Sequence, residues 1–87
     1  MGVEVELFGI PRARAGLART CAAGGTLGDV LADLATRFPR LAESCIEGRS
    51  LRAGFVANVG AERFVTAPDT PLRDGDVLLL LSLDAGG

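Results

Sequence analysis

The chain contains no histidine, lysine, tryptophan or tyrosine. Without an imidazole there is no His general base, no His-containing triad and no His-ligated metal. Without lysine there is no Schiff-base amine, no phosphate-loop lysine and no internal side-chain acceptor for an isopeptide bond. Cysteine is scarce as well: Cys21 and Cys45 stand alone, with no Cys-x-x-Cys pair. Two thiols cannot hold an iron–sulfur cluster or a structural zinc, so no metal site is expected. They read as reduced, partly buried small hydrophobes rather than a disulfide. The longest apolar run, Val77 to Leu81, falls far short of the ~20 residues that span a bilayer, and no membrane partner is expected. No secretory leader precedes the domain, which points to a cytoplasmic protein. All nine basic residues are arginines, but eleven acidic residues outnumber them and the net charge is −2. A nucleic-acid partner, which needs a basic face, is therefore disfavoured.

What is present is the composition of one small globular domain. Of 87 residues, 48% are apolar and 23% charged, ordinary proportions that argue against disorder. A chain of this length buries only about 60–65% of its unfolded surface, enough for one core. With so few reactive side chains, function has to rest on binding or on something the chain carries.

Val3-Glu4-Val5-Glu6-Leu7-Phe8 alternates with period two, as a half-buried strand does. Val3, Val5 and Leu7 share one face; Glu4, Glu6 and Phe8 share the other. Pro11 breaks the run, and a loop returns the chain to a second, antiparallel strand over Leu17 to Ala22. Thr26 is a natural N-cap, with Asp29 placed as in a capping box. Leu27, Val30, Leu31, Leu34 and Phe38 then form one helical stripe that Pro39 ends. Arg40 to Ser50 is mixed, with a helical turn over Leu41–Ile46. Gly54 to Val59 and Arg63 to Thr66 read as short strands. Ala67 to Asp76 is rich in turn residues, so Asp74 and Asp76 belong to a turn rather than a metal pair. Val77 to Leu83 is a final strand. The order predicts an α+β domain: a mixed sheet of four or five strands with one main helix.

One helix covers one face of such a sheet. The last strand is nonetheless apolar on both faces, with Leu78 and Leu80 pointing one way and Leu79 and Leu81 the other. One pair therefore lacks an internal cover, and Phe8 lies opposite the helix-facing Val3, Val5 and Leu7. Either loops pack over it locally or it is an exposed apolar patch that a partner covers, and the short chain with little left for a second layer favours the patch.

Four stretches together resemble the ubiquitin-like β-grasp sulfur carriers, the family of the molybdopterin synthase small subunit and the thiamine-pathway carrier. They are Leu7-Phe8-Gly9-Ile10-Pro11-Arg12, Thr26 to Leu34, Asp69 to Val77, and Leu83-Asp84-Ala85-Gly86-Gly87. The resemblance implies a β-grasp domain over residues 1–83 and a flexible Gly-Gly tail over 84–87. It implies a carrier or cosubstrate rather than an enzyme. The Gly87 carboxylate would be adenylated by an ATP-dependent, E1-like activating enzyme and converted to a thiocarboxylate that donates sulfur. Gly86 keeps the tail narrow, and four extended residues reach about 13–14 Å into a partner. Asp84 adds negative charge to the tail, so magnesium and cationic groups come with ATP from the activating enzyme, and this chain binds no cofactor.

The same resemblance places Phe8, Val65 and Leu81 at apolar partner contacts, with Arg12 as a polar contact beside them. Asn58 follows a strand, where a local side-chain-to-backbone turn bond is expected. The implied acceptor is a synthase such as the molybdopterin synthase large subunit. The tail lacks the Pro-Pro pair common among molybdopterin carriers. Sulfur donation for cysteine, thiamine or natural products stays open, as does a ubiquitin-like protein modifier.

Overall fold

The computed structural model describes residues 2–83; the tail, with Gly86 and Gly87, lies outside the described residues. Chain order is β1 (Val3–Leu7), α1 (Gly9–Ala15), β2 (Arg19–Ala22), α2 (Leu27–Arg37), α3 (Pro39–Cys45), β3 (Ile46–Glu47), β4 (Ser50–Leu51), β5 (Phe55–Val59), β6 (Arg63–Val65) and β7 (Val77–Ser82). Alternation in the first segment becomes alternation of burial: Val3, Val5 and Leu7 are buried, while Glu4 and Glu6 are half-exposed. The five main strands form a mixed sheet in the order β2-β1-β7-β5-β6, and β3 and β4 make a separate hairpin. β1 runs parallel to β7, whereas β2, β5 and β6 each pair antiparallel with their neighbours. This is the β-grasp arrangement that the family resemblance implies, and an α+β domain as the element order predicts.

Register assigns the inner face. Val5 sits opposite Leu78 and Leu7 opposite Leu80, and Leu80 lies opposite Ala57, which pairs with Val65. All are buried, against Leu27, Val30, Leu31 and Leu34 of α2 and Leu41 and Cys45 of α3. The Thr26 side chain accepts from the Asp29 N–H at 3.1 Å and caps α2, as the sequence predicts. The Asp29 carboxylate takes the Gly25 N–H at 3.4 Å and an Arg49 guanidinium N–H at 2.9 Å. Those contacts, Arg49 foremost and then Thr26, hold the Asp29 carboxyl below its ordinary range.

Four features differ from the sequence expectation. The loop after the first strand contains α1, with Pro11 buried in its first turn, where the missing N–H has no intrahelical partner to lose. Gly9 enters that helix at φ 60, a left-handed conformation that glycine takes without strain. The second strand begins at Arg19 rather than Leu17. Pro39 does end α2, but its fixed φ also suits N1 of the next helix, so the helical turn becomes α3. The β3–β4 hairpin turns through Gly48 at φ 64. The cysteines differ from each other: both are free, Cys45 buried and Cys21 exposed. Burial pushes the Cys45 thiol up, against weaker opposing pulls from Arg14 and Arg52.

Thr26→Ala should cost about 1 kcal/mol in urea unfolding. Because the Asp29 carboxyl is lowered in the folded state, its contribution is present above the ordinary carboxylate range and fades as pH falls through the lowered value. Arg49→Ala should therefore weaken the loss of stability on acidification. In thiol labelling, the native chain should take one iodoacetamide, at Cys21, and the unfolded chain two; rapid native labelling of Cys45 would contradict its burial.

Candidate docking face and tail exit

The outer face of the sheet is built by the same register. Residues directly opposite share a face, so Arg19, Glu6, Leu79, Asn58 and Phe64 form one row across all five strands. Val56 and Leu81 form the next row, with Phe8 beside them where its N–H bonds the Leu80 carbonyl at 3.0 Å. Toward β2 the face is polar: Arg19 pairs with Glu4 and, at 3.4 Å, with Glu6. Toward β7, β5 and β6 it is apolar. Phe64 is 66% exposed and Phe8 42% exposed, while Leu79, Leu81 and Val56 are half-buried. All three helices lie on the other side, against the core.

Phe8 and Leu81 therefore stand on the open face, as the sequence reading places them. Val65 does not. It is 6% exposed and packs in the core, because its row is the inner one of Leu7, Leu80 and Ala57. Its neighbour Phe64 takes the outward position. Both residues of that pair are apolar, so alternation alone does not separate them. The polar residue opposite, Asn58, carries the signal once the β5–β6 register is known. Arg12 is exposed, four residues after Phe8 and within α1.

Asn58 departs from expectation too. It lies inside β5 rather than after it and is 8% exposed. Its Oδ1 has no hydrogen-bond partner among the described residues, so the turn bond is absent. An unsatisfied buried acceptor costs about 1–3 kcal/mol, a penalty that a donor supplied by a docked protein would remove.

The last strand leaves the sheet at the edge of this patch. The Leu83 N–H donates to the Gly54 carbonyl at 2.7 Å, and Gly9 lies close to the Ser82 side chain. The last described residues, Ser82 and Leu83, thus lie near Phe8 and the start of α1. Among the described residues no group of three His, Cys, Asp or Glu side chains is placed to hold a metal ion. Asp76 serves its own turn, accepting the Arg73 N–H at 2.8 Å. No helix among the described residues is long and apolar enough to cross a membrane. The face offers shape and apolar area, not reactive groups.

Swapping the two adjacent side chains separates surface from core. Phe64→Ser should leave the denaturant midpoint almost unchanged, within about 0.5 kcal/mol. Val65→Ser, which buries a hydroxyl and leaves a gap, should cost about 2–3 kcal/mol. Equal destabilisation by both would contradict the face assignment.

Solved structures share this fold. SAMP1 from Haloferax volcanii is 22% identical, with TM-score 0.82, and the match covers 100% of both chains. A chain of the Amycolatopsis orientalis BexX/CysO complex is 24% identical with TM-score 0.81, over 98% of this chain and 99% of that one. A molybdopterin converting factor subunit 1, described as putative, from Pyrococcus furiosus is 23% identical with TM-score 0.76, over 94% of this chain and 97% of its own. At such identities the likeness carries the fold. No curated protein matches the sequence. The ThiS family, by contrast, matches residues 5–87, nearly the whole chain including the Gly-Gly end. The chain belongs to the ThiS family of small ubiquitin-like sulfur carriers.

Proposed function

We propose that this chain carries sulfur as a thiocarboxylate on Gly87 and that its open sheet face docks the proteins that load and unload it. The observation that carries the reading is the pairing of an uncovered apolar face with a strand end at its margin. A protein bound over Phe8, Leu81, Val56 and Phe64 has the departing chain within its footprint, and the tail's reach of about 13–14 Å takes it into a buried active site. Arg12 adds a polar contact at the rim, where charge sets orientation more than affinity.

The chemistry is borrowed. An oxygen of the Gly87 carboxylate attacks the α-phosphorus of ATP, and pyrophosphate leaves with the electron pair of the broken P–O bond. Hydrosulfide, as the sulfur nucleophile, then attacks the acyl carbon, AMP leaves with the electron pair of the broken C–O bond and the S–H proton passes to solvent, so that one carboxylate oxygen is replaced by sulfur. Each step brings anions together, and Asp84 adds another. Magnesium and cationic groups of an E1-like activating enzyme supply the screening. Cytoplasmic ATP suits this cycle. The chain is then cosubstrate rather than enzyme.

Among acceptors, we favour the molybdopterin synthase large subunit, with this chain as its small subunit. The likeness in fold to the Pyrococcus furiosus converting-factor subunit supports that reading. The likeness to a chain of the BexX/CysO complex favours a second reading, sulfur donation to a different biosynthetic acceptor, and the missing Pro-Pro pair in the tail agrees with it. The likeness to SAMP1 keeps a modifier role in view; the lack of lysine would then limit conjugates to single attachments.

Intact mass spectrometry after co-expression with an activating enzyme tests the carrier reading. The expected product is heavier by the difference between sulfur and oxygen, located on Gly87 and absent when Gly86-Gly87 is deleted. A C-terminus that stays a carboxylate with every activating enzyme would overturn it. Sulfur transfer to the molybdopterin synthase large subunit, or its failure there and success elsewhere, decides between the two acceptor readings.

A further inference from the structure

The three helices bring a second set of charges together away from the open face. Arg14 lies in the last turn of α1, Arg37 ends α2, and Arg40 lies in the first turn of α3. With Ala15, Phe38 and Pro39 they line a cleft of about 390 Å³ that contains no acidic side chain. Arg37 is held in place: its guanidinium lies 5.2 Å from the Phe38 ring centroid, pairs with Asp33 at 3.0 Å and donates to the Cys21 carbonyl. Arg14 and Arg40 are exposed and have no ion-pair partner among the described residues.

Local stability explains only part of this cluster. Arg14 and Arg37 sit at helix C-termini, where the helix dipole favours cations. Arg40 sits at the opposite end of its helix, where the dipole opposes a cation, and directly beside two other guanidinium groups. In a chain of net charge −2, such a concentration of one sign creates a field for an external anion.

Position suggests the source of that anion. α1 starts beside Ser82, at the tail exit, and ends at the cleft seven residues later. At 1.5 Å per residue that separation is about 10 Å, well within the span of a protein that holds the tail. We infer that the cleft receives a carboxylate-rich segment of the protein that activates or accepts the tail, forming a second contact that orients the carrier. The Phe38 and Pro39 rings among the guanidinium groups suit a peptide with apolar residues between its acids. This inference rests on the carrier reading for the identity of the partner, but the charge pairing is measurable without it.

Two measurements on the full chain test it. In amide NMR titrations, hexaglutamate should shift Ala15, Phe38 and Arg40. Arg14→Gln/Arg40→Gln, with unchanged thermal midpoint, should weaken that binding at least about tenfold, and rising ionic strength should weaken it in the wild type. Inorganic tripolyphosphate run in parallel should bind no more tightly than the peptide. With an activating enzyme, the double variant should associate about tenfold more slowly and still reach full thiocarboxylation at saturating enzyme. Peptide shifts elsewhere, preference for tripolyphosphate, or an unchanged association rate would each overturn the inference. A wild-type chain that binds the peptide at the cleft yet never gains sulfur would support the cleft and overturn the carrier reading.

Discussion

The central strand β7 is apolar on both faces, and the described chain has one layer of helices to cover it. That mismatch shapes the rest of the molecule. Leu78 and Leu80 are buried in one core cluster with residues of α2 and α3, in register with Val5 and Leu7 of the parallel β1. Leu79 and Leu81 have no layer of their own. Each buried Leu contributes about 1.5–3 kcal/mol of hydrophobic stabilisation. The inner pair therefore anchors the fold, while the outer pair keeps part of that driving force for association. The strand that organises the core also ends at the margin of the uncovered face, so both halves of the proposed cycle draw on one element.

The same economy appears in the chemistry. The groups held away from their ordinary pKa by their surroundings have structural roles: Asp29 in the α2 cap, Arg19 in its pair with Glu4, and Cys45 in the core. None lies on the apolar patch or at the tail exit. Catalytic sites concentrate such shifts where reaction occurs; this chain concentrates apolar area there instead. A carrier has reason to keep its body inert. In the proposed cycle the one reactive group acts only in the grip of a partner, and a lysine-free chain offers an activated acyl group no side-chain amine to attack.

Much of this could be read from the sequence because local and global signals agree. Val3-Glu4-Val5-Glu6-Leu7 has one periodicity and one burial pattern, and Thr26 with Asp29 marks the start of α2 by its own hydrogen bonds. The failures have equally specific causes. α1 is only seven residues long with a proline in its first turn, so propensity reads as a loop what packing of Pro11 makes helical. β3 and β4 have two residues each, too few for any periodicity. The exchange of Val65 for Phe64 is a one-residue slip, which in a strand reverses the face. The unpartnered Asn58 and the arginine cleft depend on register and helix packing, which no spacing along the chain encodes.

In the proposed cycle the uncovered sheet face meets the activating protein. Methyl and aromatic NMR of the full chain, with and without that protein and ATP, tests it most directly. Signals of Leu79, Leu81, Val56 and Phe64 should broaden or shift on binding, while those of Val5, Leu31, Leu34 and Leu80 stay in place. A response confined to α2 and its neighbours, with the outer face silent, would contradict the account.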